Sequence, residues 1–233
     1  MKVLLIMIYI AAGLQGCSKP GEPEGTRVTE KREISILALG DSYTIGEGVA
    51  SSERWPEQLA DSLRARGFTP APPQIIAVTG WTTGDLSAGM DRSELKERYD
   101  LVTLLIGVNN QYRGYDTTLY RSELEMLIRR AVILAGSPDR VLIVSIPDWG
   151  VTPFAAGRNR ERIAAEIDIY NRIKAELSTK AGCPYFYITD ISRAAAEVPS
   201  LLAGDKLHPS GAMYALWVER MMPAVVQIAA RLQ

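Results

Sequence analysis

Histidine is almost missing from this sequence. His208 is the only one in 233 residues, so any chemistry that needs an imidazole has a single candidate. Cysteine is nearly as scarce, with Cys17 and Cys183 alone. Two are too few for a disulfide framework, and without a Cys-x-x-Cys pair no zinc site is implied. Charge of one sign is not in excess: 26 Lys and Arg stand against 27 Asp and Glu, for a net charge of −1. No nucleic-acid partner is expected, since that would call for a basic surface. Apolar runs are short, and the longest, Val3 to Leu14, falls below the roughly 20 residues a membrane-spanning helix needs. Neither Gly-x-Ser-x-Gly nor a phosphate-binding Lys motif is present. What is there is 47% hydrophobic and 23% charged, the balance of a globular domain with a sizeable core.

The N-terminal segment reads as an address. Met1-Lys2 supplies one positive charge before the apolar run, which suits a signal-peptide core. Leu14-Gln15-Gly16-Cys17 resembles the lipobox of bacterial lipoproteins, with glutamine where a small residue is more usual. The resemblance implies a signal peptide over 1–16 and a diacylglyceryl group on Cys17 as the new N-terminus. The alternative is an ordinary signal peptide with a chance cysteine. Residues 17–33 then hold the lipidated cysteine and a tether rich in Pro, Gly and charge. The expected location is the bacterial envelope, held to a membrane through the N-terminal lipid. Ser18 is not the aspartate that retains lipoproteins at some inner membranes, which favours the outer membrane or cell surface. Cys183, between Gly182 and Pro184, reads as a packed residue.

Residues 34–233 read as one domain, without internal repeat or second linker. Short, β-branched apolar runs occur at Ile34–Leu39, Gln74–Val78, Leu101–Ile106, Arg140–Ile146 and Tyr185–Ile188. Continuous apolar runs of this length suit strands buried on both faces. Helical spacing appears over Glu53–Arg66, Thr117–Ala135, Arg158–Lys180 (Ile163, Ile167, Ile169, Ile173 and Leu177) and Gly211–Leu232. Alternating strands and helices predict an α/β fold, a three-layer α/β/α sandwich with a five-stranded parallel sheet.

Polar residues collect where the strands end: Asp41-Ser42-Tyr43, Gly80-Trp81, Asn109-Asn110 and Asp205 to His208. Parallel sheets bind ligands beyond their carboxyl ends. Acyl transfer needs an activated hydroxyl, a base, a carboxylate that fixes the base and donors for the oxyanion. Ser42 can supply the nucleophile, His208 the base and Asp205 the carboxylate. The Ser42 and Gly80 N–H groups and the Asn109 amide can form the oxyanion hole.

Those four blocks resemble the SGNH hydrolases, also called GDSL esterases and lipases. Ser42 sits in the G-D-S block, Gly80 in the second, Asn109 in G-x-N, and Asp205 with His208 in D-x-x-H-P. The resemblance spans about Ile34 to Ser210. It implies a flavodoxin-like sheet of order 2-1-3-4-5, no metal and no organic cofactor, and hydrolysis of an ester through an acyl-enzyme. Tyr43 stands where the family has leucine, and Asn110 where it usually has aspartate.

Blander roles compete at each position. Ser42 alone would suit a helix cap, Gly80 a turn, Asn109 a loop brace and His208 a helix entry. Asp41 reads as structural. Asp148 and Asp190 also follow strands and rank below Asp205 as partners of the imidazole. Gly46-x-Gly48 reads as loop. Trp81, Tyr112, Trp149 and Phe154 are candidates for a substrate pocket, with packing under loops as the alternative, and Arg113 for an anionic group. The leading function is a carboxylic-ester hydrolase for acetyl or short acyl groups on a small-molecule or glycan ester, the glycan being what this location favours. The alternatives are a lipase or thioesterase, and a non-catalytic glycan-binding lipoprotein on the same fold.

Overall fold

The computed structural model describes residues 32–233. The signal-like segment, Cys17 and all but the end of the tether lie outside the described residues. Five parallel strands form the sheet: β1 (Ile36–Gly40), β2 (Gln74–Ala77), β3 (Leu101–Leu105), β4 (Val141–Val144) and β5 (Tyr185–Phe186). Their spatial order is β2-β1-β3-β4-β5. Every residue of β1, β3 and β4 is buried, which is why these runs are continuously apolar.

The helices are α1 (Ser42–Ile45), α2 (Trp55–Arg64), α3 (Thr83–Asp91), α4 (Val108–Tyr112), α5 (Thr117–Ala135), α6 (Arg160–Ala181), α7 (Thr189–Arg193) and α8 (Gly211–Ala230). α2 packs against α8, while α5 packs against α3 and α6, giving an α/β fold with a helical layer on each side of the sheet. The long helices start where a side chain satisfies the first free N–H groups: Asp116 for α5, Asn159 for α6 and Ser210 for α8. Each such cap contributes about 1 kcal/mol.

All five strands are shorter than their apolar runs, and for two the reasons are identifiable. Ser35 interrupts the first run because its N–H and hydroxyl both donate to Asp100 Oδ2, at 2.9 Å each. Residues Glu33–Ile34 instead pair with Thr69–Pro70, apart from the main sheet. β4 stops at Val144 because the Asn171 side chain takes both the N–H and the carbonyl of Ile146, at 2.8 and 3.1 Å. Since all five strands run the same way, their carboxyl ends and the loops after them share one edge.

Candidate active site

The loop after β1 is a tight turn into a one-turn helix. Asp41 is extended (φ −128°, ψ −150°) and its Oδ1 accepts the Tyr43 N–H at 3.0 Å. Gly40 is required there: a Cβ would lie 2.1 Å from Thr44 Oγ1 and 2.6 Å from the Leu105 carbonyl. Ser42 thus begins α1, and its own N–H has no acceptor within the helix. Ser42 lines a cavity of about 180 Å3 together with Gly80, Asn109 and His208.

His208 arrives from a second turn. Asp205 Oδ1 accepts the N–H groups of Leu207 and His208 at 2.9 and 3.0 Å, and Oδ2 lies 2.6 Å from His208 Nδ1. The Ala203 N–H donates to the His208 carbonyl at 2.8 Å, closing the loop at its base. The Tyr43 ring meets the imidazole edge-on, 5.5 Å between centroids. Partial burial raises the Asp205 pKa, but hydrogen bonds from the imidazole and from the Leu207 and His208 N–H groups outweigh it, and the carboxyl is held below its usual range. An ionised Asp205 assigns the ring proton to Nδ1 and leaves Nε2 as the basic nitrogen.

The third wall carries hydrogen-bond donors. Gly80 has φ +84°, a conformation that favours glycine. Its carbonyl accepts from Arg113 Nη2 at 2.7 Å, and the next carbonyl, of Trp81, accepts from Asn109 Nδ2 at 2.9 Å. An amide nitrogen carries two hydrogens, so Asn109 keeps one for the cavity. Asn110 is fully buried. Its Oδ1 accepts the Thr83 N–H at 3.1 Å and its Nδ2 donates to Thr83 Oγ1 at 2.7 Å, while Thr83 Oγ1 donates to Glu123. α4 and the residue after it therefore hold Gly80, Trp81 and Thr83.

Beneath the serine turn lie two buried ionisable side chains, Asp41 and Lys174. Burial pushes Asp41 up to about 7, against the pull of the Tyr43 N–H and of Lys174. Burial brings Lys174 down to about 7, against the pull of Asp41. The Lys174 ammonium donates to the carbonyls of Ile106 and Val144, at 2.8 Å each. It thereby ties together the chain just beyond β3 and the end of β4.

Ser42, His208, Gly80 and Asn109 share one cavity, with Asp205 directly behind the imidazole. Tyr112, Trp149 and Phe154 line the same cavity. Trp81 does not: its indole lies over Gly89 of α3, where a Cβ would sit 2.2 Å from the ring. Arg113 is engaged with Gly80 and Asp85 rather than turned toward a ligand. Asp148 pairs with Arg193 and Asp190 with Arg220, so both carboxylates are occupied away from the imidazole. Cys183 is buried. Sequence reasoning missed Tyr43 as the partner of the imidazole, Lys174, and the lining residues Thr79, Val108 and Leu207. For the last three, position beside the Gly80, Asn109 and His208 blocks was the available signal. Among the described residues, no group of three or more His, Cys, Asp or Glu side chains is placed to hold a metal ion.

Comparison with known proteins agrees with the fold. Residues 38–216 match the GDSL-like Lipase/Acylhydrolase family. The chain is 26% identical to an acetylxylan esterase of Geobacillus stearothermophilus, over 88% of this chain and 86% of that protein. It is also 26% identical to an arylesterase of Vibrio mimicus, over 75% and 79% of the two chains. In fold it is similar to a lipase/acylhydrolase from Enterococcus faecalis, with a TM-score of 0.66 and 22% identity, covering 86% of this chain and 97% of that one.

Proposed function

We propose, because the chain belongs to the GDSL-like Lipase/Acylhydrolase family and its site groups Ser42 with a carboxylate-held imidazole, that it hydrolyses short acyl esters through an acyl-enzyme on Ser42. The observation that carries this reading is the 2.6 Å contact of Asp205 Oδ2 with His208 Nδ1, on the wall of the cavity that Ser42 also lines. His208 Nε2 takes the Ser42 proton as Oγ attacks the ester carbonyl. The tetrahedral oxyanion receives the Ser42 and Gly80 N–H groups and the second Asn109 amide hydrogen. On collapse the C–O bond to the alcohol breaks, and His208 returns the proton to the leaving oxygen. Water, deprotonated by the same nitrogen, then attacks the acyl-enzyme; the bond to Oγ breaks, His208 returns the proton to Oγ, and the acid and free Ser42 are released. The Ser42 Oγ–His208 Nε2 hydrogen bond that the first step needs forms as substrate binds.

The cavity of about 180 Å3 is small beside the roughly 300–1,000 Å3 of drug-sized ligand pockets. That supports an acetyl or similarly short acyl group over the long chain of a lipase substrate. The test is a series of p-nitrophenyl esters. The reading expects kcat/KM to be highest for acetate to butyrate and to fall for octanoate and palmitate. Ser42→Ala should lower turnover at least about a thousandfold without changing the unfolding midpoint. A folded protein that cleaves none of the series contradicts the reading.

We further propose that the protein acts on sugar esters at a bacterial envelope, lipid-anchored through Cys17. The lipobox-like Leu14–Cys17 and the acetylxylan esterase among its relatives support this. In bacterial expression the protein should partition into detergent and Cys17→Ser should not. Equal partitioning of the two contradicts the anchor.

A further inference from the structure

A second, larger depression adjoins the Ser42 cavity. It measures about 540 Å3, and the two share Tyr112 and Trp149 as a common wall. The wall is an aromatic cluster. Tyr112 and Trp149 meet edge-on at 5.3 Å, and Phe154 stands 6.2 and 6.0 Å from them. The Arg158 guanidinium lies 5.1, 5.3 and 5.7 Å from the three ring centres, and its Nη2 donates to the Tyr112 hydroxyl at 3.2 Å. Among the described residues Arg158 has no carboxylate partner, although its neighbour Arg162 has one in Glu166.

Beyond the rings runs a row of planar polar groups already joined to one another. Trp149 Nε1 donates to Gln111 Oε1 at 2.8 Å, Gln111 Nε2 to Glu166 Oε2 at 2.8 Å, and Arg162 Nε to Glu166 Oε1 at 2.7 Å. These bonds fix side chains that would otherwise lose rotamer freedom on binding a ligand. An acyl chain seeks continuous apolar walls, and this surface does not offer them. A sugar ring has an apolar C–H face for an aromatic ring, and hydroxyls for amides, carboxylates and guanidinium groups. The size falls within the roughly 300–1,000 Å3 that holds a small organic ligand.

The geometry points to a glycan subsite: the depression holds sugar units of an oligosaccharide whose neighbouring unit carries the ester at Ser42, with Arg158 as a specificity-determining residue. This inference rests on the ester-hydrolase reading above and deepens it. An aryl ester reaches only the small cavity, whereas a sugar chain reaches both.

The experiment compares p-nitrophenyl acetate, acetylated xylose and acetylated xylotetraose as substrates of the intact protein. The expected kcat/KM for the tetrasaccharide ester exceeds that for the monosaccharide ester at least tenfold, mainly through a lower KM. Arg158→Ala should lower the ratio of tetrasaccharide to aryl activity about tenfold. Cleavage of the aryl ester with no gain from mono- to tetrasaccharide overturns the subsite while the hydrolase reading stands. An equal fall on all three substrates in Arg158→Ala overturns the role of Arg158 in specificity. A folded protein inactive on all three overturns both readings.

Discussion

The turns at 41–43 and 205–208 begin with the same local chemistry and put it to different uses. Asp41 accepts the Tyr43 N–H and Asp205 the Leu207 N–H, each from two residues on. The difference lies in the second oxygen. Asp205 Oδ2 meets an imidazole from a side chain 37% exposed. Asp41 Oδ2 accepts no hydrogen bond among the described residues, in an interior where the pull of Lys174 is too weak to offset burial. Burial without enough hydrogen bonds raises one carboxyl to about 7, while hydrogen bonds that outweigh burial hold the other low. Adjacency to the reacting serine therefore does not make Asp41 the chemical carboxylate. On the proposed acyl-enzyme mechanism, contact with the imidazole gives that role to Asp205.

The largest effect expected from this contrast comes from two matched substitutions. Asp205→Asn keeps an oxygen for the backbone N–H groups but removes the charge behind the imidazole. Steady-state kinetics on p-nitrophenyl acetate should show kcat reduced by about 10²- to 10⁴-fold. Asp41→Asn keeps its cap to Tyr43 and should cost less than about tenfold, since asparagine caps as well as aspartate. Equal losses would erase the distinction.

A smaller effect follows from placing a new carboxylate in the dry layer. Asn110→Asp keeps the acceptor for the Thr83 N–H but loses the donor to Thr83 Oγ1, which itself already donates to Glu123. The variant should be about 1–3 kcal/mol less stable in urea unfolding, although the family usually carries aspartate there. An unchanged midpoint would show that the layer tolerates a second buried carboxylate.

The last effect is a slope. Asp41 titrates near 7 when folded and near 3.8 when unfolded. Between those values the folded chain binds the extra proton, so the Asp41 contribution to stability falls as pH rises from about 4 to 7. Over that window the wild type should lose stability relative to Asp41→Asn. A constant difference between the two unfolding midpoints would contradict the buried, proton-retaining Asp41.

The sequence made much of this legible, and its failures have physical causes. The α5 limits were readable because an apolar stripe runs from an Asp cap to a closing glycine. Ser42, Gly80, Asn109 and His208 were readable because each follows a strand in a parallel sheet and so reaches the same edge. α3 was not: its Gly84 and Gly89 disfavour helix, and beyond its local Thr82–Asp85 capping box it is held from outside by Asn110 on the Thr83 N–H. In α6 the apolar period included Ile169, which is 42% exposed, while Lys174 on the same helix is fully buried. Its ammonium is accommodated by two carbonyls brought there by tertiary structure, which no local pattern encodes. Trp81 was misplaced for a related reason: nothing near it in sequence shows that Gly89 opens a slot for its indole.

The central claim is that Ser42 is a nucleophile activated by His208. A fluorophosphonate probe followed by peptide mass spectrometry tests it most directly. The account predicts one adduct on the wild-type protein, on Ser42, absent in Ser42→Ala and formed far more slowly in His208→Ala. A folded wild-type protein that stays unlabelled, or that carries the adduct on another residue, would contradict it.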